Sequence, residues 1–179
     1  MKTIIELTIG AFIFSIPIVA FVVYFRTLNN KAKRVIGSYK NNQSTELTNL
    51  NVWVKNFDIF NKTKKFDLDV HATTYDFNFC DITINPDSIL VTGRSRILGS
   101  TKLLNPTIFS RTGDQSHFSA ITDRVVETTG IRTNNSSVEL DFIDPNYTNE
   151  MTLVIKNIST ETIEQIKRAT TSAKSADVC

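Results

Sequence analysis

The chain has 179 residues, with 20 Lys and Arg against 18 Asp and Glu, a net charge of +2 and only two cysteines. So even a balance excludes the strongly basic surface on which phosphate-driven nucleic-acid binding depends. Cys80 and Cys179 alone supply neither a disulfide framework nor a cysteine-based zinc site.

Taken in order, the first element is residues 3–25, TIIELTIGAFIFSIPIVAFVVYF. As a helix, 23 residues rise about 34 Å, enough for a hydrocarbon core of about 30 Å. The run therefore predicts a transmembrane helix over 3–25 that makes the membrane an integral partner. Tyr24 and Phe25 take the aromatic interface positions, with Arg26, Lys31, Lys33 and Arg34 just behind them. Those cations, with Lys40 and no acidic residue in 26–40, place the C-terminal side in the cytoplasm and the N-terminus outside. The expected location is thus the cell membrane, single-pass. Pro17 removes one helical hydrogen bond and predicts a kink.

Residues 26–48 read as a basic juxtamembrane linker, whose first turns extend the helix until Asn41-Asn42-Gln43-Ser44-Thr45 breaks it. From Leu50 the apolar period changes to two. Leu50, Val52 and Val54 alternate with polar residues, then Phe66, Leu68 and Val70 with Asp67, Asp69 and His71. In residues 75–85 the apolar parity switches, from Tyr75, Phe77 and Phe79 to Cys80, Ile82 and Ile84. That predicts a bulge or bend near Phe79-Cys80-Asp81. A turn at Asn85-Pro86-Asp87-Ser88 returns the chain as a strand over 89–92. Residues 102–109 and 118–121 are apolar but irregular, and Pro106 argues for an edge or a break. Residues 125–133 form a strand with an irregularity at Gly130. Val138, Leu140 and Phe142, then Met151, Leu153 and Ile155, form a hairpin across Asp144-Pro145-Asn146. A closing helix starts at the N-cap Ser159, stapled by Ile158 and Ile163, with Ile163, Ile166, Thr170 and Ala173 as its apolar stripe.

About seven strands and one terminal helix predict an α+β domain over 49–174, followed by a tail at 175–179. The expected form is a bent antiparallel β-sandwich or partly open barrel capped by the C-terminal helix. This order, with the strand–turn–strand ITINPDSILV at residues 82–91, resembles pleckstrin-homology-like domains. The resemblance implies seven strands in two near-orthogonal sheets and a ligand site on basic residues of the early strand loops. On that basis Lys62, Lys64, Lys65, Arg94, Arg96 and Lys102 are the candidate lipid- or phosphate-binding residues, and an anionic lipid or a protein is the expected partner. At the other end of the chain, Thr3-Ile4-Ile5-Glu6-Leu7 resembles the start of type IV pilins and pseudopilins. That likeness implies an assembly role for Glu6 and a β domain outside the cell, although no Gly stands at the processing position.

Asp67, Asp69 and His71 share one strand face about 6.5–7 Å apart, the one spacing that suits a metal-dependent enzyme. The same alternation is what any half-solvated strand shows, so no metal ligand and no cofactor is assigned. No phosphate loop, nucleophile elbow, H-E-x-x-H or dinucleotide fingerprint occurs. The expectation is a non-enzymatic binding or scaffold domain. The alternatives are a pilin-like subunit and a small metalloenzyme.

Overall fold

A computed structural model describes residues 2–57, 75–97, 100–112 and 115–171, with side chains from Ser15 onward except those of Ile97, Ser100 and Gln115. Helix α1 (Lys2–Tyr39) ends where Asn41 begins to bond locally. The Asn41 side chain accepts from Gln43 N–H at 2.8 Å, and Ser44 Oγ accepts from Asn41 N–H at 2.8 Å. This is the local bonding with which Asn and Ser compete against a helix.

Eight strands follow among the described residues. They are β1 (Thr45–Lys55), β2 (Phe79–Asn85), β3 (Ser88–Ile97), β4 (Ser100–Leu103), β5 (Thr107–Ser110), β6 (Val125–Asn134), β7 (Ser137–Ile143) and β8 (Met151–Lys156). A short α2 (Gln115–Phe118) precedes β6, and α3 (Thr160–Thr170) closes the described chain. The Asn85-Pro86-Asp87-Ser88 turn, the Gly130 irregularity and the β7–β8 hairpin stand where the sequence places them. The β6–β7 register shifts between Thr128 and Gly130. Residues 66–72, read as the cleanest strand, lie outside the described residues.

The strands join in the order β2-β1-β8-β7-β6-β5-β3, and β3 pairs back onto β2. The sheet is therefore a closed seven-strand barrel. This corrects the expected sandwich or partly open barrel, and the strands are not all antiparallel, because β5 runs parallel to β6. Closure satisfies the main-chain groups that an open sheet leaves at its edges. Strand β4 lies outside the ring. It pairs with the far half of β3 (Arg94↔Leu103 to Ile97↔Ser100), while β5 pairs with the near half (Ser88↔Ser110 to Val91↔Thr107). β4 and β5 are thus one hairpin arm interrupted at Leu104-Asn105-Pro106, where a proline cannot donate to the ladder.

Alternate residues of the strands fill the barrel: Cys80, Ile82 and Ile84 on β2, Val138, Leu140 and Phe142 on β7, Met151, Leu153 and Ile155 on β8. A second cluster lies outside the wall. There Val35 and Tyr39 of α1 and Phe118 of α2 cover Leu90, Ile108 and Val125. This is why all four residues of β5 are buried. One end of the barrel, where β2–β3 and β6–β7 turn, is closed by α3. Ser159 caps that helix, its side chain accepting from Thr162 N–H at 3.2 Å. Ile163, Ile166 and Ala169 join the barrel core.

The transmembrane reading is corrected. Among the described residues, no helix is long and apolar enough to cross a membrane. Residues 15–24 present exposed side chains along α1. Beyond them α1 becomes a packing helix. Phe25, Leu28, Asn29, Ala32, Val35, Ile36 and Tyr39 are covered at alternating three- and four-residue steps, while Arg26, Lys31, Lys33 and Arg34 face solvent between them. The spacing is that of a helix laid along a surface. The single-pass assignment, the integral-membrane partner, the outside N-terminus and the cytoplasmic placement of the domain all rested on that span, and lose their basis with it. Glu6 and the pilin-like start lie where no side chain is described. Ile16, Ile18, Val19, Phe21, Val22, Val23 and Tyr24 stand exposed on the helix.

Candidate functional site

The seam between β2 and β3 parts at one end of the barrel. β2 and β3 pair continuously from Asn85↔Ser88 to Phe79↔Arg94, and there the pairing ends although β3 runs on to Ile97. Upstream of Phe79 the chain turns toward β1, where Asn78 C=O accepts from Val52 N–H at 3.0 Å. Phe77 folds inward over Gly93. A Cβ at Gly93 would lie 2.5 Å from the Phe77 ring, so only glycine admits the ring there. Between the diverging strands lies a cleft of about 470 Å³, lined by Asn49, Asp76, Phe79, Arg94, Arg96 and Thr101 among others. The parity switch read at Phe79-Cys80-Asp81 is this divergence. The register shift itself falls on β1, between Leu47 and Leu50, where Asn49 takes a φ of 57°.

The electrostatics of the cleft are uneven. Asp81 Oδ1 accepts from Asn49 N–H at 2.9 Å and from Arg94 Nη1 at 3.2 Å, so Arg94 is already compensated. Asp76 adds a second carboxylate to the lining. Arg96 is exposed and has no carboxylate partner among the described residues. Phe79, beside it on the same wall, is 47% exposed, which is unusual for a large aromatic ring.

Of the six cations named from sequence, Arg94 and Arg96 come together here. Lys102 does not join them. It pairs with Ser95 on the opposite face, and its Nζ sits 5.1 Å from the centroid of the Phe25 ring on α1. Lys62, Lys64 and Lys65 lie outside the described residues, as do Asp67, Asp69 and His71. Among the described residues no group of three His, Cys, Asp or Glu could hold a metal ion. His117 is exposed on α2, its ring 4.9 Å from that of Phe118. Sequence reasoning missed Asn49, Asp76 and Phe79. The parity switch could have found them, because a strand that changes face must leave one neighbour.

Other polar groups are tied into the framework. Tyr75 Oη donates to Asp144 Oδ2 at 2.8 Å, and Arg124 Nη2 reaches the same oxygen at 3.4 Å. On the outer wall, Arg132 binds Glu139 and Asp141, and Lys55 binds Glu139. Tyr39 Oη and Ser88 Oγ are 2.8 Å apart, and Asn85 Nδ2 donates to Tyr39 C=O at 2.9 Å, fastening the end of α1 to the barrel.

Burial pushes the Tyr39 and Tyr75 hydroxyls above their ordinary value of 10.0 and the Cys80 thiol above its ordinary 9.0, with Asp144 adding to the shift at Tyr75. Below about pH 8 these groups hold their protons in both folded and unfolded chains and give no pH dependence. Above it the unfolded chain loses protons that the folded chain keeps. Stability should then fall by up to about 1.4 kcal/mol per pH unit for each group. Urea midpoints measured between pH 8 and 11 should decline, and less steeply in Tyr39→Phe. A flat profile to pH 11 would contradict the burial of these groups.

No family model and no curated protein matches this chain.

Proposed function

We propose that the chain is a non-enzymatic binding domain, and that its contact point is the cleft where β2 leaves β3. The observation that carries this reading is Arg96, an exposed guanidinium without a carboxylate partner among the described residues, beside the half-exposed ring of Phe79. Arginine and aromatic residues together are the side chains most enriched where partners dock. The described groups whose proton affinity is most displaced, Tyr39, Tyr75 and Cys80, are buried in packing and do not line the cleft. The lining offers Arg, Asp, Asn, Ser, Thr and Phe, a set suited to holding an anionic partner rather than to moving a proton.

The partner on this reading is an acidic protein segment or an anionic headgroup. Titration calorimetry with a nine-residue Val-Asp alternating peptide, and with vesicles containing phosphatidylserine, tests it. Arg96→Glu should weaken binding of whichever probe engages by about tenfold or more, with an unchanged urea midpoint because the side chain is exposed. Equal affinity of Arg96→Glu and the parent chain for both probes would remove the cleft from consideration.

A further inference from the structure

The cleft also presents main chain. In the β3–β4 ladder, Leu103 N–H donates to Asn29 Oδ1 at 2.9 Å, and Thr101 C=O accepts from Asn29 Nδ2 at 3.2 Å. One amide side chain of α1 thereby takes the place of a strand residue along the outer edge of β4. Because those two groups point away from β3, Arg94↔Leu103 and Arg96↔Thr101 are the pairs that do not exchange hydrogen bonds. Both members of such a pair turn their main chain outward. Arg94 turns its own toward Phe79, its partner on β2. Arg96, two residues further, turns its N–H and C=O in the same direction. There β2 has already departed and the cleft begins. Among the described residues, an edge of β3 thus lies open beside Arg96, the cleft guanidinium that has no carboxylate partner.

We propose that this gap receives an extended acidic segment of a partner protein as an added strand. The inference rests on the binding role proposed above and specifies its ligand. Strand addition uses an open edge for affinity and alternate side-chain positions for selection. An incoming residue opposite Arg96 would place its side chain within about 5.5 Å of Arg96 on the outer face, where Asp or Glu is favoured and Lys is not. The next side chain points to the other face, toward Phe77, where an apolar residue fits. Phe79 flanks the segment at the inner limit of the gap. A phosphate group is the poorer occupant, because it calls for converging cations. Here Arg94 is spent on Asp81, and Asp76 lines the same cleft.

Five ligands separate the possibilities: the Val-Asp nonapeptide, its Val-Lys counterpart, the Val-Asp peptide N-methylated at alternate residues in each of the two parities, and phosphatidylserine vesicles. The Val-Asp peptide should bind and the Val-Lys peptide should not. N-methylation in one parity should weaken binding at least tenfold, and in the other parity clearly less. Amide hydrogen exchange at Arg96 should slow at least tenfold in the complex. If Arg96→Glu alters binding of no probe, the parent reading and this one fail together. Arg96-dependent binding that ignores N-methylation, leaves the Arg96 amide exchanging freely, or favours vesicles overturns strand addition alone. Tighter binding of a peptide copying residues 64–72 of this same chain would assign the gap to an internal segment and overturn the partner.

Discussion

Replacing Asp144 with alanine is expected to cost about 3–5 kcal/mol, read as a lowered urea midpoint at unchanged slope. Asp144 follows β7, at the end of the barrel opposite α3. Its side chain is 3% exposed and that of Arg124 is 10% exposed. The carboxylate takes the Tyr75 hydroxyl and the Arg124 guanidinium on one oxygen, and the main-chain and side-chain N–H groups of Asn146 on the other. Its removal leaves a cation and a hydroxyl in a site walled by Phe57, Tyr75 and Tyr147 rings at 5.5–5.9 Å. A buried polar group that loses an acceptor is destabilised. Tyr75→Phe should cost only about 1 kcal/mol, since the ring and the ion pair remain. Equal, small losses in both variants would mean that the end is held by ring packing alone.

Ile166→Ala is expected to cost about 2–5 kcal/mol by emptying the closure at the other end. Ile166 is fully buried on α3, between Ile163 and Ala169. The helix is held in place around it: Ser159 caps its start, and Arg111 Nε donates to Ala169 C=O near its finish at 3.3 Å. A helix pinned at both ends cannot slide to fill the void, which argues for the upper part of that range. Thermal unfolding measures it. A loss below 1 kcal/mol would mean that α3 is an accessory to the barrel and not its closure.

Locally encoded features were legible. The Ser159 cap, the β7–β8 hairpin and the Gly130 irregularity each depend on residues within one turn or one strand pair. Barrel closure was not legible, because it depends on pairs such as Asn51↔Lys156 and on the parallel β5–β6 contact. Strand periodicity is indifferent to which strands become neighbours. The burial of both faces of β5 comes from α1 packing outside the wall, which no pattern within β5 announces. In α1 the signal was present but ambiguous. The packed positions from Phe25 to Tyr39 carry helical spacing, yet the cations between them have equal precedent beside a membrane. The candidate site was half readable. Arg94 and Arg96 project together because they are two apart on a strand. That Asp81 neutralises one of them required the β2–β3 register.

The ring joins β1 to β8, the first and the last of the described strands in chain order. Synthesis proceeds at about 5–20 residues per second, so the roughly 100 residues between them take on the order of 5–20 s. Until β8 is made, β1 lacks the neighbour that it has on one side in the closed barrel. Its sequence, TELTNLNVWVK, answers this: Thr45, Glu46, Thr48, Asn49, Asn51 and Lys55 make a poor template for a stray strand. The polar residues of β1 suit an edge that stays unpaired on one side until Met151–Lys156 completes the circle.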